Sequence, residues 1–362
     1  MELYIAGGCG EHGRNSFLLQ EGNNSILVDC GIISGEKNPY PKLSYDQIKS
    51  IKYLFLTHSH EDHTGAIKWL FKEGFSGKVV LSRKTYEQMN YKFDNTICLN
   101  EYEQLSKLED HLLVEYGKSG HCEGGLWYLI KWNGKNVLFS GDYCEYSKIY
   151  TCDKLRKKKA ELAVLDCAYG LDPMGAVKSK ENLCETIKYL LAKRKNILLP
   201  VPRYGRGMDI IKELLQLDEV GLLAEEWLIQ QCSQSNKFEQ SEISKIIEYR
   251  GEIIEGYNVY LICDPQLKKV ENKQFASKIM IRKDKIIFTG NIDKKSYSEM
   301  IYNARAALKK NYYVHQNLQE AKELISKNAF GKVVLSHSRE LFEKKDIGDV
   351  VIPLVTGEKI VI

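Results

Sequence analysis

The chain has 362 residues, 43% hydrophobic and 28% charged, the balance of an ordinary globular protein rather than a disordered or collagen-like one. No apolar run approaches the roughly 18 residues that a bilayer crossing needs, and the opening MELYIAGGCGEHG lacks a basic segment followed by an apolar one, so membrane and secreted roles are disfavoured and a cytoplasmic one is expected. With 52 Lys and Arg against 48 Asp and Glu, net charge alone does not announce a nucleic-acid partner.

Short β-branched and aromatic runs set among Gly and Asn open the chain and predict strands over 3–6, 16–19 and 26–28. A further apolar run over 51–56 breaks into the polar segment THSHEDHTG, after which 66–71 resumes a helical pattern, so the polar segment reads as a strand-to-helix loop. Strands follow at 78–81, 126–131, 136–140 and 162–165. The basic stretch 154–159 reads as a solvated loop or helix face. From about Gly170 helices alternate with strands: helix 180–194, strand 196–201, helix 208–217, strands 259–263 and 285–289, the signature of a parallel α/β unit. A helix over 318–326 and a strand over 332–335 then lead to another histidine. The ten cysteines are scattered without a CxxC pair and read as reduced thiols; Cys30, Cys122, Cys144 and Cys167, near the acidic or histidine residues below, read as small buried side chains.

Of eight histidines, His58, His60 and His63 fall within six residues, with Asp62 among them, in HSHEDH. Imidazoles and a carboxylate crowded onto one polar loop form a donor set suited to divalent cations, zinc above all. Alternate residues plus an adjacent Asp-His pair do not fit the i, i+4 helical pair of HExxH sites and point instead to two neighbouring metals sharing one loop. His121 in a loop before a strand, Asp142 ending FSGD and His337 ending VVLSHS occupy successive strand ends, where they can complete two coordination spheres. Asp29, in ILVDCG, is placed to orient a ligand imidazole.

HSHEDH, VDCG, SGH, FSGD, a late LSH and GGCGEHGRN, with Gly7, Gly8, Gly10, Glu11, Gly13 and Asn15, resemble the motifs of the metallo-β-lactamase superfamily. The chain is most similar to its β-CASP nucleases, the branch of ribonuclease J and the cleavage and polyadenylation endonuclease. Asp166 in AVLDCAYG, His315 in YYVHQNL and His337 resemble the three added β-CASP motifs, and LPVPRYGRGMDIIKELL resembles the opening of that family's inserted domain. CDPQLKKVENKQ departs from the Gly- and Met-rich loop often found there.

This resemblance implies an α/β fold, an αββα sandwich with an inserted parallel-sheet domain, divided as 1–169, 170–312 and 313–362. It implies two zinc ions per chain, His58, His60 and His121 on one, Asp62, His63 and His337 on the other, and Asp142 bridging, with hydroxide held between them as the nucleophile toward a phosphodiester. His315, set by Asp166, would stabilise the transition state or protonate the leaving oxygen. Histidine at the third motif favours RNA as the substrate over DNA. Arg203 and Arg206, flanking a Gly-bearing turn that opens a helix, are candidate phosphate contacts. Two other functions stay open: a hydrolase of a small ester, thioester or phosphodiester, since the same dinuclear loop supports many substrates, and a non-catalytic RNA-binding scaffold. A homodimer also stays open.

Overall fold

In the strand Ser16–Glu21 the side chains of Phe17 and Leu19 point one way and Leu18 the other, and all three are buried. A strand with two apolar faces needs a packed layer on each side. That requirement recurs along Asn24–Val28, Ile51–Phe55 and Lys78–Ser82 and sets the layering of the computed structural model, which describes residues 1–100, 102–217, 220–342 and 348–362. These residues form two units: Met1–Glu145 with Tyr150–Pro173 and His315–Ile362, and Tyr146–Ile149 with Met174–Val314.

In the first unit, among the described residues, one sheet has seven strands in the spatial order Lys359–Val361, Glu2–Gly7, Ser16–Glu21, Asn24–Val28, Ile51–Phe55, Lys78–Ser82, Thr96–Leu99. The other has six: Ala329–Ser336, Lys159–Asp166, Lys135–Phe139, Leu126–Trp132, Leu112–Lys118, Leu105–Glu109. Leu3, Ile5, Phe17, Leu19, Val28 and Phe55 from the first meet Val114, Tyr128, Ile130, Phe139, Val164 and Val334 from the second in one core. On the outer face of the first sheet, Leu18, Leu27 and Leu54 pack with Ile48, Ile67 and Leu70 of the helices Tyr45–Ser50 and Ile67–Lys72. On the outer face of the second, Leu129, Leu138 and Leu165 pack with Leu318, Ala321 and Leu324 of the helix Leu318–Ser326. This is the expected αββα sandwich.

The second unit is built on a six-stranded sheet, Ile246–Glu248, Gly221–Ala224, Asn258–Ile262, Ile197–Pro200, Lys285–Phe288, Ala307–Lys309, every pair of which runs parallel. Leu198, Tyr260, Ile262 and Ile286 pack against Phe275 and Ile279 of the helix Val270–Ile281. No helix among the described residues is long and apolar enough to cross a membrane. All ten cysteines are free thiols.

Several boundaries differ from the sequence expectation. Thr96–Leu99 and Leu105–Glu109 are edge strands with half-exposed side chains, so they carry little alternation. Leu112–Lys118 has no expected counterpart either, although Leu112, Val114 and Tyr116 alternate into the core. The helix expected at 180–194 is Gly175–Ala192, and that expected at 208–217 is Arg206–Leu214. In both, glycines that suggest a break sit at the start: Gly175 opens the first helix, and Gly205, at φ +96°, caps the second. Within the polar loop, Glu61–Thr64 forms one helical turn.

Candidate metal centre

Parallel pairing gathers the site. Asn24–Val28, Ile51–Phe55 and Lys78–Ser82 run the same way, with Val28 beside Phe55; so do Lys135–Phe139, Lys159–Asp166 and Ala329–Ser336, with Phe139 beside Val164 and Asp166 beside Ser336. The residues that follow these strands therefore emerge at one edge of each sheet. Asp29, the loop from Thr57 to His63, Asp142 and His337 are such residues, and Asp166 is the last of its strand.

His58 Nε2 lies 3.0 Å from His60 Nδ1, which lies 3.2 Å from His121 Nε2; Asp142 Oδ2 is 3.2 Å from His58 Nε2 and 3.3 Å from His121 Nε2. A tetrahedral ion with bonds of about 2.0–2.1 Å spaces its donors about 3.3–3.4 Å apart. Neighbouring donors of the four stand 3.0–3.3 Å apart, close to that spacing, so the residues fit such an ion. Thr57 sets the tautomer of His58: its hydroxyl donates to Asp29 Oδ2 at 2.8 Å and accepts from His58 Nδ1 at 3.0 Å, which leaves the Nε2 lone pair facing the group.

The other oxygen of Asp142 faces a second, more open group. Its Oδ1 is 3.1 Å from both His63 Nε2 and His337 Nδ1, while Asp62 Oδ2 is 3.0 Å from His337 Nε2 and 3.9 Å from His63 Nε2. Glycines shape both flanks. A Cβ on Gly31 would lie 1.7 Å from the Asp62 carbonyl oxygen, so only glycine lets the two segments approach. His337 takes φ +66°, a conformation costing a non-glycine residue on the order of 1 kcal/mol or more, and its N–H donates to the Gly8 carbonyl at 2.6 Å.

Asp29 orients the second group. Its carboxylate accepts from the Thr57 N–H at 2.8 Å and from His63 Nδ1 at 2.7 Å, turning the His63 Nε2 lone pair inward. Replacing Asp29 with Ala is expected to weaken cation binding at the group that contains His63 by about 10- to 100-fold, read by chelator competition; unchanged affinity removes this role.

The two groups differ electrically. Burial, with His58 beside it, pushes His60 down to about 3, and burial pushes His121 well down despite Asp142, so these imidazoles are neutral donors. Burial also works against charge at His63 and His337, but Asp142, together with Asp29 and Asp62 for His63, and with Asp166 and Asp62 for His337, raises both well above the usual range. Asp62 and Asp142 respond in kind: burial opposes their charge, and His63 and His337 hold both carboxyls well below the ordinary value. A cation at the second group therefore competes with protons for these nitrogens. Its binding there weakens as pH falls.

His315 is 8% exposed, with Nδ1 3.1 Å from Asp166 Oδ2 and 3.7 Å from Asp142 Oδ2, and its ring lies 4.5 Å from that of His121. Asp166 is held by the Tyr143 and Ala168 N–H groups, each at 3.0 Å. Ten sequence-derived residues therefore converge: Asp29, His58, His60, Asp62, His63, His121, Asp142, Asp166, His315 and His337. Arg203 and Arg206 belong to the second unit. The Arg203 guanidinium lies 4.0 Å from the centre of the Trp227 ring, and Arg206 Nη1 donates to the Thr289 carbonyl at 2.9 Å. Sequence reasoning missed Thr57, which lies beside the motif, and His12, whose only signal is a histidine inside the glycine-rich opening.

Residues 9–183 match the model of the Metallo-beta-lactamase superfamily. The chain is 26% identical over 259 residues to "Transcription termination factor FttA" of Methanothermobacter thermautotrophicus, a match covering 62% of this chain and 41% of that protein. It is 23% identical over 233 residues to "Ribonuclease TTHA0252" of Thermus thermophilus, covering 58% and 54% respectively, so it matches about half or less of these relatives' length. A crystal structure of a protein of unknown function from Enterococcus faecalis V583 shares the fold, with a TM-score of 0.63, 13% identity and coverage of 100% of this chain and 99% of that one.

Proposed function

We propose, from the premise that this chain carries a metallo-beta-lactamase domain, that it is a ribonuclease of β-CASP type that hydrolyses RNA phosphodiester bonds with two zinc ions. The observation that carries this reading is the Asp142 carboxylate, whose two oxygens face two separate donor groups beside the His315–Asp166 pair. His58, His60 and His121 would hold one ion, Asp62, His63 and His337 the other, and Asp142 both. A pair of such ions, when bound, supplies Lewis acidity at the phosphate and lowers the pKa of water toward about 7.

The chain's own side chains do the rest. Asp166 accepts at Nδ1 of His315, so Nε2 is the atom that gives its proton to the leaving oxygen. The burial of Asp142, Asp166 and His121 keeps bulk water from screening these charges. RNA as substrate is supported by His337 at the third β-CASP motif and by the ribonuclease among the relatives. The unit Met174–Val314 takes the part of the inserted domain, and there Arg203, exposed and stacked on Trp227, is the candidate contact to RNA. The free thiols suit a cytoplasmic setting.

The test is to incubate zinc-reconstituted protein with end-labelled RNA carrying a 5′ monophosphate or triphosphate, with and without chelator. Cleavage that disappears on chelation is expected, with about two equivalents of zinc per chain by metal analysis. RNA left intact by fully loaded protein overturns the reading.

A further inference from the structure

We propose that His12 is a further protein donor to the cation that Asp62 and His337 would hold; the proposal rests on the two-cation reading above.

His12 stands in the loop GGCGEHGRN, where Gly8, Gly10 and Gly13 take φ of +94°, +70° and +120°. The loop does not depend on the imidazole for its shape. Glu11 anchors it, accepting from the Gly8 N–H at 3.1 Å, from Arg14 Nε and Nη2 at 2.7 Å each, and from the Thr356 hydroxyl at 2.9 Å. His12 is half-buried, and among the described residues its ring makes no hydrogen bond. It faces the second group instead: its ring centre is 4.2 Å from that of His337, and ligand atoms of His12, Asp62 and His337 all lie within 4.8 Å of one another. An imidazole within 4.8 Å of a carboxylate oxygen and of a second imidazole nitrogen can join them on one cation.

The second group has room for it. The 3.9 Å between Asp62 Oδ2 and His63 Nε2 exceeds the 3.0–3.3 Å that separates neighbouring donors of the first group. A wider set accommodates more than four donors.

Metal-free protein and its His12→Ala and His12→Gln variants are titrated with Zn²⁺ against a competing chelator, and with Co²⁺ while its visible absorption is followed. In both variants the second equivalent is expected to bind about 10- to 100-fold more weakly while the first is unchanged, and the Co²⁺ band of that equivalent is expected to gain intensity as one donor is lost in His12→Ala. Wild-type affinity for both equivalents in both variants would mean that His12 only stacks on His337, and overturns the proposal. Equal weakening of both equivalents points to the loop's folding and also overturns it. Wild-type protein that takes up no second equivalent overturns the two-cation reading itself, and this proposal with it.

Discussion

Replacing Asp142 with Ala is expected to empty both cation positions and to lower RNA cleavage by roughly 10³-fold or more. The carboxylate is 2% exposed and has four imidazole nitrogens within 3.3 Å, those of His58, His63, His121 and His337. Without it, each group loses its shared anion, and His63 and His337, whose protonated forms it favours, lose a partner. Breaking a buried ion pair in this way costs on the order of 3–5 kcal/mol. Several kcal/mol of lost charge stabilisation in the transition state corresponds to roughly 10³ in rate. Metal analysis and a labelled-RNA assay on the variant check both parts. Asp142→Asn, which keeps the shape and removes the charge, separates packing from electrostatics. An Ala variant that holds two equivalents and cleaves at the wild-type rate would sink the bridging role.

His315→Ala should behave differently. Its Nδ1 faces Asp166, and it lies outside both donor sets proposed for the ions. Metal content should therefore stay at the wild-type level while cleavage falls by about 10²–10⁴, the usual contribution of a positioned proton donor. Asp166→Asn should leave the metal in place and lower the rate less, because the amide still contacts the ring at Nδ1 but no longer sets an anion beside it. Burial opposes charge at Asp166, and the His315 and His337 imidazoles nevertheless hold its carboxyl low, so the asparagine removes a real anion. Loss of metal from His315→Ala, or an unchanged rate, would count against the assignment.

Much of this site was readable along the chain. His58, His60, Asp62 and His63 are donors within six residues, so their chemistry needs only a loop to bring them together. Asp142, Asp166 and His337 carried a weaker signal: each ends a run of β-branched or aliphatic residues, and strand ends are visible in a sequence even when their neighbours are not. The αββα layering came through the family resemblance of those motifs, while a continuous apolar run such as 17–19 shows only that its strand is covered on both faces.

What the fold alone decided is which strand ends meet. The register that sets Asp166 beside Ser336 joins positions 170 residues apart, and the meeting of His121 with His60 spans 61; neither pairing leaves a trace in local periodicity. The edge strands Thr96–Leu99 and Leu105–Glu109 escaped for the opposite reason, being too exposed to show a pattern. His12 is the clearest case. Within a glycine-rich turn one histidine looks like any polar residue, and only the packing of that turn against the strand end at His337 brings its ring to the Asp62 carboxylate. Chemical identity is a property of each residue, whereas proximity depends on long-range sheet pairing.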